Sequence, residues 1–128
     1  MQINGTSDYA VALILTLARN QKPMTSKELG ACIDVSPYYI QQILAKLRNR
    51  GLVGSKRGSS NGGYQLLKDP RDISVLDVVE PFENTMYVNQ CLEEGAETEA
   101  PVYRFWERMQ QSCIAQMKST SVYDLMVG

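Results

Sequence analysis

Three observations predict a mainly α-helical chain carrying one small β-hairpin. Apolar residues recur at helical spacing in several stretches, the longest over residues 102–118. Hydroxyl or proline start signals precede most of these stretches. Two short strand-like segments bracket a tip rich in glycine and serine. With 128 residues, 44% of them hydrophobic and 21% charged, the composition is that of one soluble globular domain.

In chain order, Ser7 is the expected N-cap of a first helix whose Tyr9, Ala10, Leu13, Ile14 and Leu17 share a face until Asn20 and Lys22-Pro23 end it. Thr25-Ser26-Lys27-Glu28 has the form of a capping box opening a second, two-turn helix, with Leu29, Cys32 and Ile33 as its apolar face. Asp34-Val35 makes a corner, Ser36 caps again, and Pro37 suits the first helical position, where its missing N–H has no partner to lose. The third helix is expected over residues 37–50, with Ile40, Ile43, Leu44 and Leu47 inward and Gly51 as a left-handed stop. Strands over residues 52–56 and 63–67 flank the tip. Ser74 caps a fourth helix whose Leu76 and Val79 are expected to face the core. Residues 83–100 are acidic and aperiodic, the long helix follows, and Ser121 caps one more turn. The chain therefore divides into residues 1–82, a loop over 83–100, and a helix with its terminal turn over 101–128.

There is no histidine, so the commonest general base and metal ligand is missing, and no Ser-His or Cys-His pair can form. This argues against an enzyme. The cysteines, Cys32, Cys91 and Cys113, lie 59 and 22 positions apart, which fits neither a disulfide framework nor a closely spaced zinc motif. The longest apolar run, from Tyr9 to Leu15, is too short for a bilayer, and no charged-then-apolar leader precedes it, so no membrane association and a cytoplasmic location are expected.

Net charge is −1, but residues 1–71 hold ten Lys/Arg against four acids, a balance of +6, whereas residues 72–128 hold three against ten, a balance of −7. No acid occurs between Asp34 and Asp69. A basic first half with that gap has the footprint of a surface that meets double-stranded DNA. Short helix, corner, polar-faced helix and Gly-tipped hairpin come in the order of a winged helix-turn-helix. The candidate DNA-contacting residues are Ser36, Tyr38, Tyr39, Gln41, Gln42 and Lys46 on and before the third helix. Glutamine amides suit base edges, adenine above all, and the helix N-terminus suits a phosphate oxygen. Lys56, Arg57 and Asn61 in the hairpin complete the set.

The same residues carry a family resemblance. Ser7-Asp8-Tyr9-Ala10-Val11, the run from Val35 through Arg48, Gly51-Leu52-Val53, Arg57-Gly58, Gly62-Gly63-Tyr64-Gln65-Leu66 and Ile73-Ser74-Val75-Leu76-Asp77-Val78 resemble the Rrf2 family of bacterial transcription regulators. That family includes iron–sulfur cluster, nitric-oxide and cysteine-metabolism regulators. The resemblance implies a homodimer held by the long helix and a palindromic operator. It further implies base reading at Tyr38, Gln41 and Gln42 and a wing arginine at Arg57. Two departures stand out. The tip from Arg57 to Gly63 is slightly longer than the usual proline-and-glycine wing. Cluster-binding relatives place three cysteines between the fourth and the long helix, and this stretch holds only Cys91. Asp8 stands where some members recruit an acidic ligand, but a cluster needs several thiolates or substitutes, so no cofactor and no metal site is expected.

Cys32 and Cys113 read as small buried hydrophobes. Cys91, in the acidic loop, is the candidate sensor thiol, although Glu93 and Glu94 oppose its ionisation. Phe82, Met86, Tyr87, Phe105, Trp106 and Met109 fit a dimer core better than a small-molecule pocket. The expected function is a homodimeric, sequence-specific repressor answering a redox or small-molecule signal. The alternatives are a winged-helix protein-interaction module docking through its acidic half and a small redox enzyme using Cys91.

Overall fold

The computed structural model describes residues 3–55, 63–83, 86, 92 and 100–128. The assignments at Lys56, Arg57, Asn61, Tyr87 and Cys91 lie outside the described residues. In chain order the elements are α1 (Gly5–Arg19), α2 (Ser26–Ile33), α3 (Pro37–Asn49), β1 (Val53–Ser55), β2 (Tyr64–Leu66), a 3-10 turn (Pro70–Asp72), α4 (Val75–Val79), a second 3-10 turn (Glu80–Phe82), α5 (Pro101–Ser119) and α6 (Val122–Val127). Among the described residues the fold is mainly helical with one two-stranded antiparallel hairpin, as the sequence predicts.

The local signals explain most element ends. Thr25 and Glu28 close their capping box, each bonding the other's backbone N–H. Ser36 accepts the Tyr39 N–H, and Pro37 follows it at the first helical position. Two more capping boxes, Ser74 with Asp77 and Ser121 with Asp124, open α4 and α6. The start of α1 differs from expectation. Asn4, extended at φ −76°, is its cap, and the Asn4 side chain accepts the Ser7 N–H. Ser7 lies inside the helix and is fully buried, so its hydroxyl serves a tertiary contact instead.

The corner between α2 and α3 depends on two residues. Asp34 takes the left-handed conformation at φ 62°, which Asp tolerates better than most residues. A Cβ at Gly30 would stand 2.5 Å from the Val35 carbonyl oxygen, so only glycine lets the chain turn this tightly.

One core joins nearly all elements. Leu13, Ile14, Leu29, Ile40, Ile43, Leu44, Leu47, Val53, Ile73 and Val122 are almost completely buried together. β1 pairs with β2 in the register Val53 to Leu66 and Ser55 to Tyr64, and Met24 extends this ladder through a two-way bridge to Tyr64. α6 folds back, donating Val122 N–H to the Ile73 carbonyl and placing Val122 in the core.

Three burial expectations are corrected, and the first is Cys113, which is half-buried on α5 and not enclosed. Cys32 is exposed, not a buried hydrophobe. At 100° per residue, Leu29, Gly30 and Ile33 define the inward face, and Cys32 falls about 60° beyond its edge. On α4 the buried pair is Val78 and Val79, while Leu76 is half-buried, because the helix is so short that its last turn carries the packing.

Candidate nucleic-acid interface

α3 is fixed from beneath by Ile40, Ile43, Leu44 and Leu47, all within 1% of full burial. The opposite face is exposed along Tyr38, Gln41, Gln42, Ala45, Lys46 and Asn49, the three-and-four spacing of one helical stripe. α3 has no acidic residue in its first turn, while Lys46 and Arg48 lie near its end. The stripe is therefore polar and cationic, with the positive end of the helix dipole at its start.

The structure assigns the sequence-predicted residues different surroundings. Tyr38 is 71% exposed and projects from the first turn. Gln41 donates from Nε2 to Ser26 Oγ at 3.3 Å, so its amide is oriented by α2. Gln42 is exposed one position further. Lys46 holds its ammonium over the Phe82 ring, 5.5 Å from the centroid. Ser36 is exposed and occupied as the helix cap. Tyr39 points elsewhere: it is half-buried, meets Tyr9 edge to face at 5.9 Å, and its hydroxyl bonds Thr6 Oγ1. The Tyr39 side chain thus ties α3 to α1 in place of extending the exposed stripe.

Two supports were not legible in the sequence pattern. Arg48 donates to Ser55 Oγ at 2.7 Å and lies over the Tyr64 ring, joining α3 to both strands of the hairpin. Arg50 pairs with Glu80 at 3.7 Å, joining the end of α3 to the second 3-10 turn. The only sequence signal for the first is the lone small polar Ser55 at the end of a strand; the second links segments thirty positions apart and has none.

α5 presents a contrasting surface. Trp106, Met109, Cys113 and Met117 line an apolar groove of about 600 Å³ with Ile3 and Val75. Phe105 and Trp106 make an edge-to-face pair at 5.0 Å. Phe82, grouped with these residues in the sequence analysis, instead belongs to the central core. Among the described residues no group of three or more His, Cys, Asp or Glu could hold a metal ion, and no helix is long and apolar enough to cross a membrane.

Proteins similar to this chain include regulators of transcription. Over 128 residues the chain is 30% identical to the HTH-type transcriptional regulator CymR of Bacillus subtilis, covering 98% of this chain and 89% of that protein. Superposition on the structure of CymR, the global cysteine regulator of B. subtilis, gives a TM-score of 0.84 at 28% identity, across 99% of this chain and 97% of the other. IscR of T. potens superposes with a TM-score of 0.79 at 27% identity, across 98% of this chain and 86% of that one. Residues 3–128 match the Rrf2 family, described as iron-dependent transcriptional regulators. The polar stripe on α3, the hairpin beside it and this match lead to one conclusion: the chain belongs to the Rrf2 family and is a DNA-binding transcription regulator of the helix-turn-helix type.

Proposed function

We propose that the chain is a cytoplasmic, homodimeric repressor that reads a palindromic operator and needs no iron–sulfur cluster to do so. The observation that carries this reading is the exposed stripe of α3, polar, acid-free and held rigidly from beneath. Gln41 and Gln42 are the base readers, Tyr38 flanks them, and Ser36 and Lys46 hold phosphates. Tyr39 positions the helix. Lys56, Arg57 and Asn61 reach the DNA from the hairpin.

The dimer is supported by α5. None of its 19 residues is buried, yet Val102, Phe105 and Met109 are 65%, 48% and 45% exposed along one side. A second copy of α5 covers that side by two-fold symmetry, which sets half-sites about one helical turn of DNA apart. The reading without a cluster rests on thiol supply: Cys91 is the only cysteine in residues 83–100, so a dimer offers two thiolates there. Cys91 is then the residue through which oxidation changes DNA binding.

Selection of bound fragments from genomic DNA, with reduced and with oxidised protein, tests this reading. A palindromic motif should be enriched by a colourless protein unaffected by chelators. Oxidant should lower operator affinity in the parent and leave Cys91→Ser unchanged. An equal response in both proteins removes Cys91 as the sensor, and failure to enrich any motif removes sequence-specific recognition.

A further inference from the structure

The second 3-10 turn and Glu83 make an unusual number of polar connections for four residues that lie outside the DNA-facing stripe. The Glu83 carboxylate accepts from the Asn4 N–H at 2.9 Å, from Asn4 Nδ2 at 3.3 Å and from the Ser7 hydroxyl at 2.9 Å. Ser7 is completely buried, so this carboxylate supplies the acceptor that its hydroxyl would otherwise lack. Asn4 also donates to the Phe82 carbonyl at 2.6 Å while capping α1. The turn is thus locked onto the start of α1 by four hydrogen bonds that draw on the side chains of Asn4, Ser7 and Glu83.

The opposite side of the same turn meets α3. The Phe82 ring, only 8% exposed, lies under the Lys46 ammonium, and Glu80 pairs with Arg50. Between α1 and α3, residues 80–83 therefore form a brace whose one end is anchored by Glu83 and whose other end meets Lys46 of α3 and Arg50 at its C-cap. The Arg50–Glu80 pair is half exposed and adds little rigidity alone, so the anchoring at Glu83 and the packing of Phe82 carry the brace.

We propose that Glu83 is a positioning residue for DNA binding: by holding Phe82 it sets where Lys46 stands, and it does so without touching DNA. This rests on the reading of α3 as the DNA-facing helix.

The test uses the full chain, the operator recovered from genomic selection, and active protein counted by stoichiometric titration. Glu83→Ala should weaken operator affinity of the active fraction by about tenfold, and Glu83→Gln, whose amide oxygen still accepts, by under about threefold. The salt dependence should keep its slope for Glu83→Ala and fall by about one for Lys46→Ala, because only Lys46 neutralises a phosphate. In the Lys46→Ala background the Glu83→Ala loss should shrink to within error, the signature of coupling through one path. A residue that only stabilised the fold would lower the melting temperature and the active fraction with the affinity of that fraction unchanged, and this result would overturn the proposal. So would strictly additive losses in the double variant. If Glu83→Ala does not fold, Phe82→Leu repeats the measurement, removing the ring beneath Lys46 while keeping apolar bulk. Should Lys46→Ala leave binding to operator and random DNA unchanged, the assignment of α3 fails and the brace with it, whereas normal sensitivity at Lys46 with none at Glu83 or Phe82 removes the brace alone.

Discussion

α3 and α5 are both amphipathic helices, and they divide their faces in opposite ways. α3 buries Ile40, Ile43, Leu44 and Leu47 and shows solvent a row of tyrosine, amide and cationic side chains. α5, six residues longer, half-buries Trp106, Cys113, Ile114 and Met117, buries no residue fully and shows solvent Val102, Phe105 and Met109. The apolar side of α3 is consumed by the chain's own core, so its exposed side is free to carry specificity. The apolar side of α5 stays exposed at Val102, Phe105 and Met109, and on the proposed reading a second copy covers it. A helical pattern by itself says that one face will be covered; the count of neighbours available inside the chain decides what covers it.

The largest way to break this contrast is to attack the consumed face. Leu44→Ala should destabilise the fold by roughly 2–5 kcal/mol through the cavity left in the core, read as a lowered midpoint in urea unfolding. If the unfolding free energy fell by less than about 1 kcal/mol, α3 would not be the centre of the core.

The corresponding change on α5 should act on assembly. Met109→Lys is expected to give a folded monomer of 14.3 kDa in sedimentation where the parent gives twice that mass, with helical content retained. A dimer that survives this substitution would move the interface off this side of α5.

The smallest effects concern the exposed face of α3 and sharpen the comparison most. Gln42→Ala should cost about 1–3 kcal/mol on the operator and relax preference at one position per half-site, whereas Lys46→Ala should weaken operator and random DNA alike. Equal losses on both DNAs for both variants would remove base reading from Gln42.

Most of the local architecture was legible because it is set within one turn of chain. The Thr25–Glu28 box, the Ser36-Pro37 start and the Gly51 stop are each settled by residues within four positions, and the structure has them as the pattern implies. The start of α1 departs from the local pattern for an equally physical reason. Asn4 and Ser7 are both good caps, and the choice between them is made by Glu83, which claims the Ser7 hydroxyl from 76 positions away. Cys32 went astray because a two-turn helix offers too few residues to place the edge of its apolar face.

The sequence by itself determined the element order, the helix ends governed by caps, the inward face of α3, the charge division and the family. These depend on backbone sterics, short-range hydrogen bonds and periodicity, all local in the chain. Tertiary structure alone decided that Val122 returns to the core beside Ile73, that Tyr39 turns inward to Thr6 and Tyr9, that Arg48 grips the hairpin, and that Phe82 lies beneath Lys46. Each of these joins segments brought together only by folding. A side chain that can serve either a partner or its own fold takes its role from whichever neighbour reaches it first in space, and that distance is not written in the spacing of residues along the chain.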